Sequence, residues 1–190
     1  MAEKGTVFQT GGGGVNFEQF IQASFSVTLL VKGNAPTLPS NEVSEIVLQA
    51  SNRGWATDDL LVTAKSKQHQ HKLLIQAKHN LTFSSDNTVF KEVITAFWKD
   101  FNSPQFNKTH DRLIIAKSRL NNIERNHIKT LLNYAKTHNS ESDFLSEVNR
   151  LKSKKEKLDM FRQLLQVAND STPVNDADLW QFCRVVDILG

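Results

Sequence analysis

A single cysteine, Cys183, among 190 residues excludes an internal disulfide framework and suits a reducing compartment. A small buried hydrophobe on a helix accounts for it. Met1 to Thr10 lacks the apolar stretch of a signal peptide, and no later run is long enough to span a bilayer, so the expected location is the cytoplasm, with no membrane partner. An excess of one charge is also missing. With 23 Lys and Arg against 20 Asp and Glu, the net charge is +3 and the pI about 9.0, which allows an anionic partner without demonstrating one. Gly11-Gly12-Gly13-Gly14 lacks both the preceding strand and the following Lys-Ser/Thr of a phosphate-cradling loop. It reads instead as a loose lead-in over residues 1–14.

The composition is that of an ordinary globular chain, 39% hydrophobic and 23% charged, sized for one domain or a compact domain with an appendage. Asn16 is a plausible cap for a helix that carries Phe17, Phe20, Ile21, Phe25 and Leu29 at helical spacing. Pro36 and Pro39 lie beyond its end. Three strand-like runs follow, Ile46 to Ala50, Leu60 to Ala64 and Lys72 to Lys78, the first two separated by Ser51-Asn52-Arg53-Gly54 and the last two by a polar turn over 65–70. Val89 to Phe101 places Phe90, Val93, Ile94, Phe97 and Phe101 on one helical face, and Arg112 to Ala116 reads as a buried strand. The order is α-β-β-β-α-β over residues 15–120. From 121 to 190 only helices are expected, over 123–138, 143–167 and 176–189. Lys152 to Lys157 reads as a solvated face. The apolar last helix, ending at Gly190, suggests an N-terminal piece of a longer protein, with residues 121–190 as a helical extension towards a further C-terminal part.

Alternation along the third strand puts Gln76 and Lys78 on one face and Ile75 and Ala77 on the other. If the second and third strands pair as a hairpin, Asp59 at the start of one meets Gln76 and Lys78 at the end of the other. A carboxylate and an amide oxygen are hard ligands suited to Mg²⁺, and a lysine can orient water and offset charge growing on a phosphorus centre. Asp58 competes with Asp59 for the acidic role, and Glu18 on the first helix is a further candidate metal ligand. His69, His71 and His79 lack the paired spacing of a zinc site, although His79 follows Lys78 closely enough to touch phosphate. Lys65, Lys67, Lys72 and Lys91 read as solvated strand-end and turn lysines.

The pattern Asp59, hairpin, Gln76-Ala77-Lys78 resembles the PD-(D/E)xK nuclease superfamily in the variant with glutamine at the second acidic position, as in Mrr-like restriction enzymes. Gly14-Val15-Asn16-Phe17-Glu18 is similar to the opening of Mrr-like domains. Thr57-Asp58-Asp59 and Ile75-Gln76-Ala77-Lys78-His79 resemble the double-stranded DNA endonuclease effectors of bacterial anti-phage CBASS and STAND/NACHT proteins. The resemblance covers about residues 11–120, and the proline of the motif's name is absent, Thr57 standing before the two aspartates. It implies an α/β, restriction-endonuclease-like α-β-β-β-α-β core with a C-terminal helical extension. It further implies a Mg²⁺-dependent endodeoxyribonuclease, with Mn²⁺ as a substitute, that cuts double-stranded DNA with low sequence specificity. Asp59, Gln76 and Glu18 would hold the metal, Lys78 would complete the catalytic group, and a C-terminal module would make the active form a homo-oligomer. Two alternatives stand beside this reading: a degenerate nuclease fold acting as a DNA-binding or protein-interaction module, and an RNase.

Overall fold

The computed structural model describes residues 12–38, 41–67 and 69–190. Helix α1 (Gly12–Leu30) starts earlier than the expected cap, so Asn16 lies inside it, and Gly12 to Gly14 are helical while residues 1–11 lie outside the described ones. Packing of Phe25, with Phe17, Ile21 and Leu29, outweighs the roughly 1 kcal/mol per residue that glycine costs in a helix. Strand β1 (Glu42–Leu48) also begins earlier than its apolar run, because its extent is set by antiparallel pairing with β2 (Leu60–Lys65) from Glu42↔Lys65 to Leu48↔Leu60. The residues between form a 3-10 turn at Ala50–Arg53, closed by Gly54 at φ 83°, a left-handed conformation in which a Cβ is strained.

Strand β3 (Gln70–Lys78) pairs antiparallel with β2 in the register Leu60↔Ile75, the expected hairpin. Helix α2 (Thr88–Phe101), capped by the Asn87 side chain on the Phe90 N–H, crosses to β4 (Arg112–Lys117), which runs parallel to β3. Leu113 to Ala116 are buried on both faces, as an inner parallel strand requires. One sheet face carries Val62, Ile75, Ala77 and Ile114 against α1. The other carries Leu61, Leu74, Leu113 and Ile115 in a larger core that includes Phe90, Phe97, Phe161 and Phe182.

The remaining chain forms a π-helical turn at Glu124–Lys129 and then α3 (Thr130–Thr137), α4 (Glu141–Asn149), α5 (Lys152–Ala168) and α6 (Asp176–Val185). The chain then leaves the helix expected over 176–189 and becomes β5 (Val186–Leu189), parallel to β4. The open edge of β4 supplies hydrogen-bond partners that a short β-branched run takes in preference to another helical turn. The architecture of the described residues is therefore α/β, with a five-stranded sheet in the order β1-β2-β3-β4-β5 and six helices. A four-stranded core with an appended helical extension is not what forms, since β5 extends the sheet and α5 and α6 fill the core over α2. Lys154, expected on a solvated face, is buried with its Nζ 3.2 Å from the Tyr134 hydroxyl and above that ring.

Among the described residues no helix is long and apolar enough to cross a membrane. Cys183 is fully buried on α6, and desolvation pushes its thiol up to about 12. Native protein is expected to resist alkylation by iodoacetamide at neutral pH and to react once unfolded, because the thiolate is the nucleophile. Rapid labelling of the folded chain, followed by mass spectrometry, would contradict this burial.

Candidate functional site

Asp59 is delivered by the loop between the 3-10 turn and β2. Both oxygens of Asp100, near the end of α2 and 2% exposed, hold this loop, accepting the N–H groups of Ala56 at 2.7 Å and Thr57 at 2.8 Å. The Ala50 N–H donates to the Asp58 carbonyl at 2.6 Å and the Gln49 N–H to the Asp59 carbonyl at 3.3 Å. With its backbone pinned, Asp59 reaches across to β3. Its Oδ2 accepts the Ala77 N–H at 2.7 Å and lies 3.3 Å from Lys78 Nζ. Asp59 and Gln76 are both buried, while Lys78 keeps part of its side chain open to solvent. Asp58 is exposed, so of the two neighbouring acids Asp59 is the one placed against Gln-x-Lys.

Glu18 approaches from α1, its Oε1 accepting from Gln22 Nε2 at 2.9 Å. Its carboxyl is raised above the usual range, first by burial and then by the charge of Asp59, with Lys78 opposing and Asp58 adding to the rise. These couplings place Glu18, Asp59, Asp58 and Lys78 in one electrostatic neighbourhood. Below the ordinary carboxylate value Glu18 is protonated whether the chain is folded or not. As pH rises from there through the raised folded value, the unfolded chain releases its proton first and the fold loses stability. Glu18→Gln is expected to remove that part of the slope, read as a smaller fall in urea-unfolding stability between about pH 4 and pH 7. A slope unchanged from the wild type would place Glu18 away from the other acids.

Among the described residues no group of three or more His, Cys, Asp and Glu side chains is arranged to hold a metal ion. The candidate donors are the Asp59 carboxylate, the Glu18 carboxylate electrostatically coupled to it and the Gln76 amide on the strand face of Lys78, all hard oxygen ligands with an excess of negative charge. That chemistry fits Mg²⁺, which usually takes one or two carboxylates and keeps several waters. His79 sits with its ring 5.7 Å from that of Phe17. His69 and His71 instead gather with His110, the rings of His69 and His110 stacking at 4.4 Å. Lys72 is held by the Gln105 carbonyl at 2.8 Å and the Asp111 carboxylate at 3.7 Å.

Two residues of the site escaped the sequence reading. Asp100 was one, because nothing in a helical aspartate reveals that it binds a loop 44 positions earlier. Lys117, in register with Lys78 at the ends of the parallel strands, was the other; its Nζ donates to Glu124 Oε1 at 2.6 Å. Its position at the end of a strand next to Gln-x-Lys was the available signal.

No family model matches the chain, and no curated protein does. A solved structure similar to it is the Cap4 SAVED/CARF-domain containing receptor of Acinetobacter baumannii with the cyclic trinucleotide 3'3'3'-cAAA, at 18% identity and a TM-score of 0.46. The similarity covers 99% of this chain and 32% of that one, so the chain spans about a third of the receptor's length. These findings correct two expectations. Membership of the PD-(D/E)xK superfamily finds no matching family model, and the structural neighbour is described as a cyclic-trinucleotide receptor rather than as an endonuclease effector cutting double-stranded DNA. Asp-(x)n-Gln-x-Lys is short enough that a hairpin and one polar strand face reproduce it without common descent.

Proposed function

We propose that Glu18, Asp59, Gln76 and Lys78 form a Mg²⁺-dependent site that hydrolyses a phosphodiester. The observation that carries this reading is the buried Asp59 carboxylate, fixed by the Ala77 N–H and lying 3.3 Å from Lys78 Nζ. Glu18, coupled to the same group, and Gln76, on the same strand face as Lys78, add oxygen donors. Asp59, Glu18 and the Gln76 carbonyl oxygen would hold the cation, which when bound neutralises phosphate charge and activates a water. One oxygen of Asp59 is committed to β3, which restricts the carboxylate's rotamers and leaves the other as a ligand. Lys78 sets a positive charge beside the same carboxylate, where it can hold an anionic substrate oxygen and stabilise charge that grows in the transition state.

The test uses bis(p-nitrophenyl) phosphate and a fluorescently labelled oligonucleotide as phosphodiester probes, with Mg²⁺, with Mn²⁺ and with EDTA. Hydrolysis by the wild type with metal, reduced by about 10²-fold or more in Lys78→Ala, is the expected result. Calorimetric Mn²⁺ binding should weaken at least tenfold in Asp59→Asn. Absence of metal-dependent hydrolysis of both probes, together with Mn²⁺ binding unaltered by Asp59→Asn, would overturn the reading.

A further inference from the structure

At the other end of the central strands, away from Asp59 and Lys78, a cavity of about 590 Å³ opens between α3, α6, β4 and β5. Arg112, which begins β4, pairs in register with Leu73, whereas Lys117 pairs with Lys78. Five residues of strand, roughly 16 Å, therefore separate the two regions.

The cavity is lined by Lys108, Arg112, Lys136 and Arg184 against one acid, Asp187. Lys136 is ion-paired with Asp187, whose charge also acts on Arg112. Asp111, beside Arg112, has its oxygens engaged by the N–H groups of Lys72 and Asn107, both at 2.8 Å. Lys108, Arg112 and Arg184 make no ion pair with a carboxylate among the described residues. The lining thus carries four cations against one acid, a net excess of positive charge on one concave surface that costs mutual repulsion unless an anion fills it.

Lys108, Arg112 and Arg184 are all held in place, Lys108 with its Nζ 3.8 Å over the Phe101 ring. The guanidinium of Arg184 lies 4.7 Å over the Trp180 ring. Arg112 Nη1 donates to the carbonyls of Asp111 at 2.7 Å and Thr109 at 3.3 Å. Burial also lowers the Arg112 guanidinium from its usual value, against the opposing charges of Asp187 and Asp111, as for a cation partly removed from water. A fixed, partly desolvated guanidinium fork matches phosphate oxygens and loses little freedom on binding them. The rest of the lining is neutral and hydrogen-bonding, with Asn133 and Gln181 on the helices and Thr37 and Thr109 on the loops. Thr37 holds φ at 67°, an uncommon conformation for a β-branched residue and one often found at ligand sites.

We infer that this cavity binds a phosphorylated small molecule of nucleotide size, its phosphates on Lys108, Arg112 and Arg184 and its neutral part against Asn133, Gln181 and the threonines. The volume lies in the range of small-molecule sites and exceeds what a single inorganic anion fills. The site is independent of the Glu18–Lys78 group.

The experiment is calorimetric titration of the full chain with ADP and with inorganic pyrophosphate at about 0.15 M salt, where exposed charges are screened. ADP should bind more tightly than pyrophosphate. The double variant Lys108→Glu/Arg184→Glu should weaken both at least tenfold while the unliganded Tm stays within a few degrees. Lys99→Glu, on the exposed side of α2, should bind as the wild type does. In case the double variant misfolds, the wild-type amide resonances of Asn133 and Gln181 should shift on ADP addition. Absence of ADP binding, equal binding by the folded double variant, equal loss in Lys99→Glu, unshifted resonances, or preference for an oligonucleotide over ADP would each overturn the inference.

Discussion

A chain truncated after Leu120 is expected not to fold, although residues 12–120 hold four of the five strands and every member of the Glu18–Lys78 group. The reason lies in what α2 packs against. Phe90 meets Phe161 at 6.1 Å between ring centroids, and Phe182 meets both Trp98 at 5.9 Å and Phe101 at 5.6 Å, all in edge-on geometries that suit aromatic pairs. Truncation would return the face of Phe90, Phe101 and Trp98 to water and strip β4 of its partner β5. At roughly 1.5–3 kcal/mol for each large apolar side chain exposed, a few such residues already reach the roughly 5–15 kcal/mol by which a domain is stable. The graded form is Phe182→Ala, for a side chain that is fully buried. It should cost about 3–5 kcal/mol, read as a fall in the urea midpoint at unchanged m-value. A cooperative unfolding transition from the 1–120 chain, or a Phe182→Ala loss below about 1 kcal/mol, would show instead that the C-terminal helices are an addition to a self-sufficient core.

That expectation also marks where the sequence was legible. Periodicity located α2 within one residue at its start and placed β2, β3 and β4, since each is a long or strongly patterned run between clear turn signals. The hairpin followed from the polar turn at 65–70, and with it the approach of Asp59 to Lys78. Val185 to Leu189 defeated the same method. Val185, Val186, Ile188 and Leu189 satisfy helical and strand spacing alike over so short a run, and only the free edge of β4 decides between them. Asn16 misled for a different reason: it is a good cap residue, but tertiary contacts of α1 carry the helix past it. The family resemblance centred on Asp59, Gln76 and Lys78, with the Gly14–Glu18 segment and the residues flanking the motif beside them. The approach of Asp59 to Lys78 is a property of the hairpin register, so it was legible, while an inherited identity and a DNA substrate were not.

Asp100→Ala is expected to damage both the fold and the site, and it is the sharper test of how Asp59 is positioned. A carboxylate in the last turn of α2 faces the negative end of the helix dipole, an unfavourable place that costs about 0.3–1 kcal/mol at a surface. Its two short bonds to the Ala56 and Thr57 N–H groups offset that cost, since a hydrogen bond to a charged group contributes roughly 1.5–3 kcal/mol. Alanine would leave both donors without Asp100, the one at Thr57 fully buried, and the expected loss is about 2–5 kcal/mol of stability by urea unfolding. The consequence for Asp59 follows along the chain: two residues after Thr57, it depends on this loop to reach Ala77 and Lys78. Displacement of a reacting group by about 1 Å can lower a rate by about 10²-fold, so hydrolysis of the phosphodiester probes should fall by that order even where the variant is still folded. Asp100→Asn separates the two effects, because it keeps one acceptor for Thr57 or Ala56 and should retain more of the stability than of the rate. If Asp100→Ala is as stable as the wild type within about 0.5 kcal/mol, the loop is held by the Ala50 and Gln49 bonds alone and Asp100 has no part in placing the acid.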